Sequence, residues 1–408
     1  MRITYLHQYF NTPEMSGGTR SYEMARRLVA MGHEVNMVTS WREEGDERDW
    51  YETEEAGIRV HWLPVPYSNH MSYSERMRAF VRFAWQAARK AASVPADVVF
   101  ATSTPLTIAL PGAYAARKRK VPMVFEVRDL WPDVPIAMGA LPNPVMRIGA
   151  KRLEDFAYRR SNRIVALSPG MKEGVVSSGV PPERVAVIPN SSDLELFDPD
   201  TADRQLFREV HPELGKGPLV VYGGTMGRVN GVGYLARIAS AAKQHGSTIQ
   251  FVVVGRGAEE EEVRKIASDE GVLGVNFHLY PPLPKKEMPN LLAAADVSVS
   301  LVINVEALWA NSANKFFDAL ASGTPMAINH GGWQAELLRD TGAGLVLPPD
   351  APEEAAARLE AFLSDREGLQ GAGEAARELA RSRFSRDDLA VQLERVLQDA
   401  VAAGGKGA

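Results

Sequence analysis

Short apolar runs alternate along this chain with longer stretches whose apolar residues recur at helical spacing, and the alternation begins afresh after residue 217. Arg2 to Phe10 reads as a buried strand. Ser21 to Met31 reads as a helix with Tyr22, Ala25, Leu28 and Val29 on one face. Gly32 stops that helix, and Glu34 to Thr39 is the next strand. Strands are predicted again at Ile58–Pro64, Asp97–Thr102, Pro122–Val127, Arg163–Leu167 and Val185–Pro189, with helices at Tyr73–Ser93 and Ala150–Arg160 between them. The polar stretch Asp198–Gly217, with Pro199, Pro212 and Gly215, reads as a linker. Strands then recur at Leu219–Tyr222, Ile249–Val254, Val275–Leu279, Ala295–Leu301, Met326–Asn329 and Gly344–Leu347. Helices over 352–364, 369–383 and 387–402 close the chain. Strand–helix alternation of this kind builds parallel sheets covered by helices. The pattern therefore predicts two α/β domains, 1–198 and 199–386, with a cleft between them, and a last helix that returns to the first domain.

One stretch, Asn311 to Asn329, concentrates candidate chemistry. Ser312 or Asn314 is placed to cap a helix, since their side-chain oxygens can satisfy free N–H groups of a first turn. Phe316, Phe317, Leu320 and Ala321 form its apolar face, and Gly323 ends it before a buried strand. Lys315 stands in the first turn, where the helix dipole disfavours a cation. That placement makes sense if an anionic phosphate sits there. Asp318, one turn on, is an acceptor suited to two vicinal hydroxyls. A capped surface helix with one Lys and one Asp on its wet side is the plain alternative.

Three other places carry polar or glycine-rich signals at strand ends. Ser16-Gly17-Gly18-Thr19-Arg20 follows the first strand, and Gly223-Gly224-Thr225-Met226-Gly227-Arg228 follows the first strand of the second series. Glycines there let a backbone approach a ligand closely, although neither loop has GxGxxG spacing. Arg128-Asp129-Leu130-Trp131-Pro132-Asp133 follows the strand PMVFEV, and ligands of open parallel sheets lie beyond such carboxyl ends. An internal Arg128–Asp129 salt bridge with Trp131 in the core is the structural alternative. The helix 73–93 mixes Met77, Phe80, Val81, Ala84 and Trp85 with Arg76, Arg78, Arg82, Arg89 and Lys90. Such a helix suits an anionic membrane surface, or else packs Phe80 and Trp85 inward. A second basic run, Arg117 to Lys120, ends the following helix, where cations are favourable in any case.

Composition narrows the classes. Hydrophobic content of 45% and charged content of 24% describe a globular chain, and a formal net charge of -5 gives no reason to expect nucleic acid. The absence of cysteine excludes disulfides and thiolate chemistry. No apolar run approaches the roughly 20 residues that span a bilayer, and the chain starts directly as a strand. A cytoplasmic protein is expected, with any membrane contact peripheral, on the inner face of the plasma membrane, and with a disordered tail after Ala400.

Taken in order, the motifs resemble the retaining glycosyltransferases of family 4, which have the GT-B fold: two Rossmann-like parallel-sheet domains facing a central cleft. VIPNSSDLELF (Val187 to Phe197) resembles that family's link region, and RIVALSPGMKEGV (Arg163 to Val175) its preceding strand and helix. VYGGTMGRVNGV (Val221 to Val232), FVVVGRG (Phe251 to Gly257), ADVSVS (Ala295 to Ser300) and DALASGTP (Asp318 to Pro325) fit in sequence. EVRDLWPD together with SANKFFDALASG is most similar to a bacterial branch that builds lipid-linked O-antigen and capsule saccharides and includes N-acetyl-L-fucosamine transferases. The resemblance implies that Gly17 and Gly18 face the donor diphosphate, that Gly224, Thr225 and Arg228 belong to a phosphate loop, that Asn314 and Lys315 lie near the diphosphate, and that Asp318 holds the ribose hydroxyls. Three positions depart from the family pattern. The first of its two glutamates falls on Ala310, Glu306 being the nearest acid; Asn230 lies near its usual lysine; and Arg128 replaces its usual histidine.

Read this way, the donor is a nucleoside-diphosphate sugar, UDP-linked and N-acetylated by family habit. The acceptor is a polyprenyl-diphosphate-linked or other saccharide. Arg128, Asp129, Arg228 and Lys315 are the candidate catalytic residues, with no cofactor and no metal expected. Fixed cations and N–H dipoles are what a departing diphosphate requires. A UDP-sugar 2-epimerase of the same fold, or a non-catalytic partner subunit, remain open beside it.

Overall fold

The computed structural model describes residues 1–15, 17–43, 47–66, 71, 73–191 and 193–404. Ser16, Ser192 and the tail residues 405–408 lie outside the described residues, as does the side chain of Arg76. The chain divides into two compact units, Met1–Pro189 with Arg386–Ala408, and Asn190–Ser385.

The first unit contains β1 (Arg2–Leu6), α1 (Arg20–Ala30), β2 (Glu34–Trp41), β3 (Tyr51–Glu55), β4 (Ile58–Pro64), α2 (Tyr73–Ser93), β5 (Val98–Thr102), α3 (Ala109–Arg119), β6 (Met123–Val127), α4 (Asp133–Ala137), α5 (Pro144–Arg160), β7 (Arg163–Ala166), α6 (Pro169–Ser177) and β8 (Val185–Val187). Its eight strands run in the order β3-β4-β2-β1-β5-β6-β7-β8. All neighbours pair in parallel except β3, an antiparallel edge strand that its half-exposed, charged sequence YETEE hid from an apolar-run reading. Strands buried on both sides, such as VVFAT, read as unbroken apolar runs for that reason. The order reverses between β1 and β5, so the loops after these strands and after β6 crowd the carboxyl edge at the switch point.

The second unit contains α7 (Leu206–Val210), β9 (Leu219–Gly223), α8 (Gly233–Gln244), β10 (Gln250–Val254), α9 (Glu260–Asp269), β11 (Phe277–Tyr280), α10 (Met288–Ala294), β12 (Val297–Ser300), α11 (Asn314–Ala321), β13 (Met326–Ile328), α12 (Trp333–Thr341), β14 (Gly344–Val346), α13 (Pro352–Ser364) and α14 (Arg366–Arg383). Its six strands are all parallel, ordered β11-β10-β9-β12-β13-β14, with the switch point between β9 and β12. The chain passes between units at Pro189–Asn190, before the expected boundary at Asp198, because Phe197 is buried in the core of the second unit with Phe316 and Phe317. The stretch read as a linker also packs there: Phe207 and Leu214 join Leu219 and Val221 in a core cluster.

The chain returns with α15 (Arg386–Gly404). Leu389, Ala390, Leu393 and Leu397 of α15 pack with Met24, Ala25 and Leu28 of α1 against the sheet of the first unit. The helix extends to Gly404, beyond the point where the tail was expected to lose order.

Candidate functional site

In the second unit the loop after β9 is built by glycines that admit backbone against backbone. The amide of Gly224 donates to Val254 O at 2.9 Å, and that of Met226 to Arg256 O at 3.0 Å. A Cβ on Gly255 (φ +156) would lie 1.9 Å from the Gly224 carbonyl oxygen, and one on Gly257 2.1 Å from that of Met226. Only glycine permits these approaches. The Tyr222 hydroxyl and the Asn230 amide both donate to Thr225 O at 2.7 Å, which fixes the turn. Thr225 and Arg228 stand exposed on it.

Lys315 meets this loop from α11. Its Nζ lies 3.8 Å from the centroid of the Tyr222 ring, and a Cβ on Gly224 (φ +146) would come within 2.9 Å of it. Desolvation lowers its pKa to about 7, and no other contribution opposes the shift. Among the described residues no carboxylate pairs with it. A lysine drawn against an aromatic face without an acid partner is poised for an anion from outside the chain.

The first turn of α11 differs from the sequence expectation. The N-cap is Ala313, with no side-chain capping bond. Ser312 Oγ instead accepts from the Asn190 amide at 3.1 Å, while Asn190 Nδ2 donates to Ser312 O at 2.6 Å. The N-cap residue therefore supplies no side-chain acceptor to the backbone donors of that turn, beside Lys315. Asn314 is exposed and Asp318 half-buried on this helix, while Phe316, Phe317, Leu320 and Ala321 are buried as its apolar pattern requires. The preceding loop is braced by Trp333 Nε1, which donates to Asn311 O at 2.9 Å, and by Trp309, whose indole lies on Gly331 and whose backbone lies against Gly332. Ala310 sits in that braced loop. Glu306 lies in a short 3-10 turn ahead of it and is exposed.

In the first unit, Gly17 has φ +126 and a Cβ there would meet Asn11 Nδ2 at 2.6 Å. Asn11 donates to Gly18 O at 3.3 Å and accepts from Arg42. Arg128 does not form the ion pair with Asp129 that the sequence allowed. Its backbone N–H donates to Ser103 Oγ at 3.0 Å, and its Nη1 donates to His7 Nε2 at 3.3 Å. Burial, Arg128 and Arg42 hold His7 well below the usual imidazole range, so it is a neutral acceptor. Asp129 reaches the surface, yet the crowding around its carboxyl pushes it up to about 6 by desolvation. Trp131 is half-buried rather than a core residue.

Strand β6 also carries Glu126, which is fully buried. Arg20 donates to it through Nε (3.1 Å) and Nη2 (2.9 Å), and Thr102 Oγ1 donates to its other oxygen at 2.5 Å. These donors hold the Glu126 carboxyl below its ordinary range despite its burial. His7, Asn11, Arg42, Tyr222 and the Arg20–Glu126 pair were not singled out in the sequence. The one visible signal was Glu126, an acid inside an apolar strand, which must find a cation. Among the described residues no cluster of three or more His, Asp or Glu could hold a metal ion.

The chain matches the Glycosyl transferase 4-like domain over residues 17–191 and Glycosyl transferases group 1 over residues 203–379. It is a glycosyltransferase of the GT-B fold. This glycosyltransferase is 25% identical over 398 residues to the GDP-mannose-dependent alpha-(1-6)-phosphatidylinositol monomannoside mannosyltransferase of Mycobacterium tuberculosis, covering 93% of this chain and 94% of that one. Its fold is shared with sucrose-phosphate synthase from Thermosynechococcus elongatus (TM-score 0.80, 17% identity, 98% and 99% of the two chains). It is shared also with Anabaena Alr3699/HepE in complex with UDP-glucose (TM-score 0.72, 17% identity, 98% and 100%).

Proposed function

We propose that the glycosyltransferase moves an N-acetylamino sugar from a UDP-linked donor, with retention, to a lipid-linked saccharide in cell-surface polysaccharide synthesis. The observation that carries the donor site is Lys315, over Tyr222 and beside Gly224 at the start of α11, with no carboxylate partner among the described residues. Lys315, lying against Gly224, takes the diphosphate together with Arg228, the amide of Thr225 and the first turn at Asn314, and Asp318 takes the ribose. Within the first unit, Gly17 and Gly18 are the loop that faces a donor diphosphate, and Arg128 and Asp129 face the sugar or acceptor. The bond from the anomeric carbon to the β-phosphate oxygen breaks. The acceptor hydroxyl oxygen bonds to that carbon on the same face, and its proton passes to the departing phosphate. Negative charge grows on that phosphate in the transition state, so fixed cations there lower the barrier.

Titration with UDP, GDP, TDP and ADP without added metal tests this reading and names the base. Binding of one of them, lost in Lys315→Ala, is the expected result. GDP in place of UDP would correct the donor, in line with the GDP-mannose named for the mycobacterial relative. No binding by any of the four would remove the donor site.

The lipid-linked acceptor is supported by one face of the first unit. Seven of the eleven exposed large hydrophobic side chains among the described residues lie on α2, α3 and α5. On α2 it is Phe83 that packs inward, while Val81 and Trp85 are 62% and 61% exposed and Arg89 stacks on Trp85 at 4.6 Å. An apolar stripe flanked by arginines suits the interface of an anionic bilayer. No helix among the described residues is long and apolar enough to cross a membrane.

A further inference from the structure

Helix α1 starts two residues after Gly18, and its first two turns grip the chain at both places where it enters or leaves the first unit. Besides binding Glu126, Arg20 donates through Nη2 to Ile188 O at 2.8 Å and through Nη1 to Pro189 O at 2.6 Å. These are the last two carbonyls before the chain leaves at Asn190. One turn later Glu23 accepts from Arg26 at 2.7 Å and Arg27 at 2.6 Å, and pairs with Arg386 at 3.4 Å. Arg27 in turn donates to Asp387 at 2.5 Å. Arg386 and Asp387 are the residues with which the chain returns.

We propose that Arg20 and Glu23 are positioning residues of the transfer reaction, linking the Gly17–Gly18 loop through α1 to both chain crossings. The proposal rests on the reading that this loop meets the donor diphosphate. Arg20 and Glu23 are both 5% exposed, yet neither touches the candidate donor groups. Burying a guanidinium is costly, and this one is offset by a carboxylate and two carbonyls on separate segments. The carbonyls belong to the outgoing crossing, and the carboxylate sits two residues before Arg128. A closely packed helix moves as a unit. A phosphate that orders the loop therefore fixes the start of α1, and with it the outgoing crossing through Arg20 and the returning one through Glu23 and Arg27.

Amide hydrogen exchange of the full chain with and without UDP tests this, with GDP used instead if only GDP binds in the titration above. Local opening that requires ligand release slows by up to about 100-fold at a ligand concentration of about 100 Kd. The expected result is slowed exchange at Ile188 and Asn190 and at Arg386 and Asp387. In Glu23→Gln, and in Asp387→Asn at an exposed side chain, protection at 386–387 should fall while that at 188–190 persists. The same variants should lower kcat with an unchanged donor Kd. Nucleotide binding with unaltered exchange at both crossings overturns the proposal and leaves the donor reading standing. So does equal loss of protection at both crossings in Asp387→Asn. Failure of every nucleotide to bind removes both.

Discussion

At the scale of single residues, Lys315 has the clearest consequence. Its pKa near 7 means that the free protein carries a mostly neutral amine above that pH. A diphosphate favours the charged form, so binding must draw a proton in. Affinity should therefore fall as pH rises from 7 to 9, approaching tenfold per unit. Calorimetry at pH 8 in buffers of different ionisation enthalpy should register uptake approaching one proton. Lys315→Arg, which cannot deprotonate, should flatten the pH profile. Equal affinity at pH 7 and 9 in the natural protein would place the lysine outside the anion site. For stability the sign is opposite. A lysine depressed in the fold binds fewer protons than in the unfolded chain between pH 7 and 10.5, so its contribution to stability rises with pH through that window. At pH 7.5, near the bottom of that window, the lysine is a cost to the fold, so Lys315→Ala should hold or raise the melting temperature while reducing turnover by about two orders of magnitude. The sequence exposed Lys315 through its unfavourable place in a first turn. It could not expose Tyr222, because an aromatic residue ending a buried strand looks the same whether or not it carries a cation on its face.

At the scale of elements, the loops after β9 and β10 form one structure. Gly224 and Gly255 are each beyond the reach of an alanine, the first because of the Lys315 ammonium and the second because of a carbonyl 1.9 Å away, and both at positive φ. Gly255→Ala should cost about 2–4 kcal/mol and shift the urea midpoint, since backbone must move. Gly224→Ala meets the far end of a flexible side chain, so it should fold better than Gly255→Ala but lose most nucleotide affinity by displacing Lys315. The reverse order, with Gly224→Ala the less stable and still able to bind, would contradict this packing. The Arg20–Glu126 pair gives a companion prediction. Arg20→Met should destabilise by about 3–5 kcal/mol because it strands a buried carboxylate, whereas Glu126→Gln should cost less, and thermal melts of both will rank them. These elements show what a sequence can disclose. Parallel strands buried on both sides and helices such as α2 were legible because apolar periodicity is their cause. The edge strand β3 and helix α12 were not, since β3 is half-exposed and α12 opens behind Gly331 and Gly332 without a side-chain cap. The cap expected from Ser312 failed for a non-local reason: a link residue, Asn190, takes its hydroxyl.

At the scale of the whole molecule, charge is distributed against the net balance. The chain has 46 basic and 51 acidic residues. Helix α2 alone nevertheless has five basic residues to one acidic, α3 three to none, and α5 five to two. Helices α2, α3 and α5 lie beside one another on one face of the first sheet, opposite α1 and α15. The sequence marked α2 and the end of α3 but not α5, whose exposed Val145 and Ile148 look like ordinary helix residues until the fold sets them next to the others. Lys90, Lys151 and Arg159 pair with carboxylates of the chain, and the rest of this basic excess on an overall acidic protein favours a surface of opposite sign. Each arginine near an anionic bilayer is worth about 1 kcal/mol, and the attraction decays within a Debye length. The purified protein should therefore float with vesicles containing anionic lipid at low salt and much less with purely zwitterionic ones. Arg78→Glu with Arg82→Glu should abolish flotation while leaving donor binding intact, since neither residue lies in the second unit. Val81→Ser with Trp85→Ser should weaken it at all salt concentrations, because its loss is apolar rather than coulombic. If the protein fails to float under any of these conditions, the acceptor is a soluble saccharide and the exposed face of α2, α3 and α5 has another partner. Flotation that survives high salt but is lost in the serine variant would mean that apolar insertion, rather than charge, holds the enzyme at its acceptor.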